Sequence, residues 1–184
     1  MPVLSDKWIK KMAKEYGMMS PFEEIQVRGN KISFGTSSYG YDARANSEFK
    51  IFTNVNSEIV DPKNFTPASS VSKTGPECII PPNSFALAAS MEYFKMPRRV
   101  TGLVTAKSTY ARSGLGTPSS VLEGGWRGNL VMEFANHSNL PIKLYANSGA
   151  AQILFFEGSE PEVSYADGNR KYQGQVGITL AKSK

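Results

Sequence analysis

Leu130-Val131-Met132-Glu133-Phe134-Ala135 is the stretch on which the fold turns. Strict alternation places Leu130, Met132 and Phe134 on one face and Val131, Glu133 and Ala135 on the other, the period of a β-strand. The same texture runs outward from it. Upstream, Pro97-Arg98-Arg99 precedes a strand expected over Val100 to Thr105, and Pro81-Pro82-Asn83-Ser84 forms a turn between two apolar runs. Val27-Arg28-Gly29-Asn30-Lys31-Ile32 reads as a tight hairpin. Downstream, strands are expected over Ile142 to Tyr145, Ala151 to Phe156 and Val176 to Thr179. Helical spacing occurs at the start of the chain, where Ser5 precedes Trp8, Ile9, Met12, Ala13 and Tyr16 and Gly17 ends the pattern. The expectation is a mainly β fold behind one short N-terminal amphipathic helix.

A chain of 184 residues suits a single domain over 1–184, burying roughly two-thirds of the surface its unfolded form exposes. Hydrophobic residues make up 40% and charged residues 20%, with 16 Gly and 11 Pro, which points to a turn-rich globular protein and away from disorder. The net charge of +5 comes from Lys and Arg scattered singly or in pairs. With no aromatic-and-basic stripe, nucleic acid is not an expected partner, and a phosphorylated metabolite accounts for the charge equally well. Met1-Pro2-Val3-Leu4-Ser5-Asp6 lacks a basic region leading into an apolar run, and no stretch approaches the roughly eighteen apolar residues of a membrane span. A cytoplasmic protein without a membrane partner is expected. From Glu157 onward the chain is polar and Gly-containing, the composition of a mobile flap.

Cys78 is the only cysteine and His137 the only histidine. An intramolecular disulfide and a zinc site of the Cys-x-x-Cys deaminase kind are thereby excluded. A Ser-His or Cys-His nucleophilic pair would have to use His137, which sits in the turn-like string Asn136-His137-Ser138-Asn139. Cys78 reads as a small hydrophobe filling a strand core.

Two features carry chemistry. Lys107, Ser108, Thr109 and Arg112 supply two cations and two hydroxyls within six residues. If Ser108 opens a short helical turn, free backbone N–H groups join them as a phosphate cradle; the alternative is a solvated loop. Glu133 places a carboxylate among apolar neighbours. Desolvation there would raise its pKa toward neutrality, as a residue that takes a proton from water and returns it requires; the alternative is a Glu paired with an Arg at a sheet or subunit edge.

Nearly end to end, the chain resembles the deoxycytidine triphosphate deaminases of the trimeric dUTPase-like superfamily. The resemblance rests on Ser37-Ser38-Tyr39-Gly40-Tyr41-Asp42-Ala43-Arg44, Val60-Asp61-Pro62-Lys63-Asn64-Phe65, Ile79 to Ala88, Lys107 to Arg112, Met132-Glu133-Phe134, Ala151-Gln152 and Lys171-Tyr172-Gln173-Gly174-Gln175. It implies a distorted β-barrel or jelly-roll of the dUTPase-like type and a homotrimer with intersubunit active sites. It also implies a deoxypyrimidine nucleoside triphosphate as substrate, with Mg²⁺ bound through the triphosphate and no zinc. By the same resemblance Glu133 is the catalytic general base and acid, and Ser108 and Arg112 position the water and phosphates. Lys107, Thr109, Tyr110 and Ala111 complete that loop, while Ser120, Val121, Glu123, Val131 and Met132 flank sugar and base. Gln152, Tyr165, Lys171 and Gln175 match triphosphate-binding positions, with no metal ligand in the chain itself.

Residues 115–125, Leu115-Gly116-Thr117-Pro118-Ser119-Ser120-Val121-Leu122-Glu123-Gly124-Gly125, depart from the family's apolar, β-branched pattern. Gly116, Pro118 and Ser119 remove side-chain volume where the pyrimidine is expected, which would leave room for a 5-substituted cytosine. Ala111-Arg112-Ser113-Gly114-Leu115 and Gly125-Trp126-Arg127-Gly128-Asn129 look as much like dUTP diphosphatase motifs, in which Asp42 could serve near the metal. A bifunctional deaminase and diphosphatase, or a non-catalytic nucleotide-binding homologue, are further alternatives.

Overall fold

Ile9 and Ala13, four positions apart as the spacing predicts, are the buried residues of the helix α1 (Asp6–Tyr16). Gly17, in the left-handed conformation, ends it. Ser5 is the N-cap, but its hydroxyl makes no capping hydrogen bond, and the first turn is held instead by Asp6 and Lys10, 3.0 Å apart. The structure is a computed structural model and describes residues 2–182.

Strands follow in close succession: β1 (Met19–Ser20), β2 (Gly35–Ser37), β3 (Gly40–Phe52), β4 (Ser70–Thr74), β5 (Glu77–Ile80), β6 (Phe85–Lys95) and β7 (Val100–Ala106). After a short helix α2 (Ser108–Ala111) come β8 (Leu115–Gly116), β9 (Ser120–Leu122), β10 (Arg127–Asn136), β11 (Ile142–Tyr145) and β12 (Gly149–Glu157). A ten-stranded antiparallel sheet runs in the order β8-β10-β6-β3-β12-β7-β9, with β1 on β6 and β2 and β4 on β3; β5 and β11 form a separate pair. The expected mainly β fold, a distorted barrel with one N-terminal helix, is the fold observed. Its corner is β3. The first part of this thirteen-residue strand pairs with β12 (Tyr41 opposite Ile153) and its last part with β4 and β6 (Ile51 opposite Val71 and Ala86). One strand that serves two sheets turns a sheet into a barrel corner.

The core lies inside the curl, where Tyr41, Phe49, Phe94, Phe134 and Phe155 are fully buried. Cys78 is buried on β5, as expected of a small hydrophobe. Two ion pairs share this interior. Arg44 Nε donates to Glu92 at 2.7 Å, and Lys107 Nζ to Asp42 at 2.6 Å. Among the described residues no helix is long and apolar enough to cross a membrane.

The structure differs from expectation at two places. Val27 pairs with Phe34 through reciprocal bonds of 2.9 and 3.2 Å, so the chain turns over residues 28–33 and not through a tight hairpin. Val176 to Thr179 forms no strand, since pairing there ends at a single bridge between Gly128 and Gln175. The polar tail from Glu157 onward is seated on the barrel by side-chain to backbone bonds. Trp126 Nε1 donates to Tyr172 O at 2.9 Å, and Gln175 Nε2 to Asn129 O at 2.8 Å.

Candidate active site

Alternation along β10 buries Leu130, Met132 and Phe134 and turns Val131, Glu133 and Ala135 the other way, half-buried. That second face forms the floor of a cavity of about 510 Å³. Register supplies its neighbours. Leu87 of β6 lies directly opposite Glu133, and Phe85 opposite Ala135. Beyond them Phe85 packs edge-on against Phe52 with centroids 5.1 Å apart, and Phe52 in turn against Phe65 at 5.9 Å. With Val60 and Pro62 these residues make an apolar lobe on one side of Glu133. The other side is more polar, lined by Ser120 and Val121 of β9, Glu123, Trp126, Tyr165, Tyr172 and Gln175.

Glu133 lines the cavity together with both sets of residues. Among the described residues no side chain hydrogen-bonds or ion-pairs with its carboxylate, and burial pushes its pKa above the usual carboxylate range, opposed by its own backbone amide. An unpaired, desolvated carboxylate facing a cavity holds its proton to higher pH than an exposed one does.

The expected site residues separate into two groups. Glu133, Ser120, Val121, Glu123, Val131, Tyr165 and Gln175 line the cavity. Lys107, Ser108, Thr109, Ala111 and Arg112 do not; they stand at the end of β7, where Ala106 pairs with Ala151. Ser108 and Thr109 do open a short helical turn and are exposed, as are Ala111 and Arg112. Gln152 joins this second group, lying opposite both Asp42 and Thr105. Lys107, 8% exposed, spends its ammonium on Asp42, which also accepts from Gln26, so it pins the base of the loop. Asp42, 1% exposed, is therefore an interior partner away from the cavity. Tyr110 is buried and its hydroxyl accepts from the Tyr145 amide at 2.9 Å, and Met132 lies in the core, so neither offers the cavity a side chain. Lys171 lies outside the cavity lining and donates to Lys182 O at 3.2 Å.

Phe52, Phe65, Phe85, Leu87, Trp126 and Tyr172 also line the cavity, without a site role expected from the sequence. Their signal was membership in the motifs Val60 to Phe65, Ile79 to Ala88, Gly125 to Asn129 and Lys171 to Gln175, which hold all but Phe52. His137 is exposed and does not line the cavity; its amide donates to Gly114 O at 3.0 Å.

Gly116, Pro118 and Ser119 are absent from this chain's own cavity wall. A Cβ at Gly116 would come within 2.7 Å of His137 Nε2, which places that missing volume on the outer side of β8. Gly116→Val is therefore expected to displace the exposed His137 ring and leave the cavity alone, changing stability by less than about 1 kcal/mol. Thermal melts and nucleotide affinity check this, and a large affinity change would contradict the placement.

The half-buried Glu133 thus faces a cavity on a curled antiparallel sheet. Residues 3–158 match the family model described as dCTP deaminase-like. The chain is 55% identical over 183 residues to a dCTP deaminase of Herpetosiphon aurantiacus, covering 99% of this chain and 100% of that protein. It is 56% identical over 188 residues to a dCTP deaminase of Cupriavidus metallidurans, covering both chains fully. The fold resembles the crystal structure of 2'-deoxycytidine 5'-triphosphate deaminase from Agrobacterium tumefaciens with a TM-score of 0.64 at 15% identity, over 85% of this chain and 48% of that one. The chain thus spans about half the length of that solved chain. It belongs to the dCTP deaminase-like family.

Proposed function

We propose that the protein hydrolytically deaminates deoxycytidine triphosphate to the deoxyuridine nucleotide and ammonia. The observation that carries this reading is the half-buried Glu133, without a side-chain partner among the described residues, in a cavity lined by both apolar and polar residues. Its carboxylate takes a proton from water and delivers it to N3 of the base as the resulting hydroxide adds to C4; it then carries the C4 hydroxyl proton to the amino group, which leaves as ammonia while the C4 carbonyl forms. Family membership and the names of the relatives support the substrate. Water activation falls to Glu133 without zinc, since Cys78 is buried in β5 and His137 lies off the cavity. Among the described residues no three His, Cys, Asp or Glu side chains converge, which fits Mg²⁺ carried by the triphosphate oxygens.

Ser108, Thr109 and Arg112 are exposed and stand apart from the cavity, which supports a homotrimer in which the loop of one copy completes the cavity of the next. In that assembly Ser108 and Arg112 position water and phosphates, Glu123 faces the deoxyribose, and Tyr165 and Gln175 hold the triphosphate end. A soluble cytoplasmic enzyme follows from this chemistry. The names of the relatives support plain cytosine as the base. Incubation with Mg²⁺ and dCTP, 5-methyl-dCTP, dCMP or dUTP, with ammonia and pyrophosphate read separately, tests the reading. Ammonia from dCTP is the expected result. Pyrophosphate from dUTP alone would favour a diphosphatase, binding without product a non-catalytic homologue, and faster turnover of 5-methyl-dCTP a larger base.

A further inference from the structure

Arg98 lies outside the cavity, yet it joins two of its walls. It sits in the turn between β6 and β7, with a side chain 37% exposed. Its Nη1 donates to Ser164 Oγ at 3.0 Å and to Asp167 Oδ1 at 2.7 Å, and its Nη2 to the carbonyls of Pro161 and Glu162 at 3.3 and 3.2 Å. The Glu160 carboxylate adds an ion pair, 3.0 Å from Nε. Ser164 and Asp167 close a reciprocal capping box around the single helical turn Tyr165–Asp167. That turn delivers Tyr165 to the cavity, and the Tyr165 hydroxyl accepts from the Tyr172 amide at 3.3 Å, so a second wall residue follows the first.

The backbone around Arg98 grips the facing wall. Met96 N donates to Trp126 O at 2.9 Å and Gly125 N to Met96 O at 3.2 Å. The Arg98 carbonyl occupies the space that a Cβ on Gly124 would need, 2.2 Å from that position, so the wall bearing Glu123 and Trp126 lies flush against it. Tyr165 N completes the seam by donating to Gly124 O at 2.9 Å. Apolar burial cannot supply this order, because Ser159, Glu160, Glu162 and Val163 are exposed. Charge-assisted bonds from one planar guanidinium hold the segment instead, in a fork that Lys cannot reproduce.

We propose that Arg98 is a positioning residue that sets Tyr165 and Tyr172 against Glu123 and Trp126 before nucleotide enters, so that binding does not bear the cost of ordering residues 160–167. The proposal rests on the cavity being the nucleotide site. Preorganisation of this kind acts on affinity and leaves the chemical step at Glu133 alone. Arg98→Ala is expected to raise KM for dCTP about tenfold with kcat within about threefold of the parent, measured well below the melting temperature of either protein. Arg98→Lys should recover part of the loss by keeping a charge beside Asp167. Asp167→Ala should reproduce the rise in KM, and the double variant should be no worse than Arg98→Ala, since both remove one clamp. Asp167→Ala carries the test if Arg98→Ala does not fold.

An unchanged KM, a fall in kcat alone, or fully additive effects would overturn the clamp. If the parent neither binds nor turns over any nucleotide, the reading of the cavity fails while the clamp stays testable by trypsin. Faster cleavage at Arg170 and Lys171 in Arg98→Ala than in the parent supports it, and equal cleavage overturns it.

Discussion

Glu133→Gln is expected to lower ammonia release from dCTP by about 10²–10⁴-fold while nucleotide still binds, because the amide keeps the shape of the carboxylate but cannot take a proton from water. The same substitution should stabilise the protein above neutral pH. Burial raises the Glu133 pKa in the folded state, so the folded protein holds this proton to higher pH than the unfolded chain does. Below the unfolded carboxylate pKa both states are protonated, and the group costs nothing. As pH rises through the folded pKa the ionised, desolvated carboxylate weighs fully against folding. The variant, which never ionises, should melt above the parent at pH 8, with the gap closing as pH falls toward the ordinary carboxylate range. Retained turnover would refute the proton shuttle. A melting temperature below the parent's at pH 8 would show that the carboxylate has a partner in the working assembly.

The second large effect concerns folding alone. Glu92 is 0% exposed and accepts from Arg44 Nε at 2.7 Å, from the Arg44 amide at 2.9 Å and from the Tyr41 hydroxyl at 3.4 Å. Glu92→Ala would strand a guanidinium in the barrel interior, where its remaining ionic contact is the half-exposed Glu23 at 3.2 Å. Removal of one partner from a buried pair costs about 3–5 kcal/mol. For a chain of this length that corresponds to a fall in melting temperature of roughly 6–20 °C. Replacing Arg44 and Glu92 together by Met should recover most of the loss, because no charge is then left alone. A single-variant loss under about 1 kcal/mol would contradict the network as described.

Much of the fold was legible in the sequence wherever a signal is local. Alternation along Leu130 to Ala135, helical spacing behind Ser5, and the Pro-Asn turn before Phe85 each depend on neighbours a few residues away, and each corresponds to an observed element. Val176 to Thr179 has strand composition, but a strand also needs a free edge, which local composition does not report. The candidate site was half legible. The chemistry of Glu133 shows in its contrast with its neighbours. The pairing of Lys107 with Asp42 does not, because it spans 65 positions and depends on the course of β3. Alternation alone turned Met132 inward and was the better guide to that side chain than its place in a motif.

The corner strand has a consequence in time. β3 is finished only when β12 arrives, since Tyr41 waits for Ile153 far along the chain. Closing so long a loop before any ladder rewards it is slow, and folding in milliseconds to seconds is the expected regime. Amide protons of β3 should then exchange only through opening of the whole barrel, while those of residues 159–170 exchange through local release. The apolar lobe and the Asp42–Lys107 pair, which hang from opposite ends of this one strand, would be made and lost in a single event.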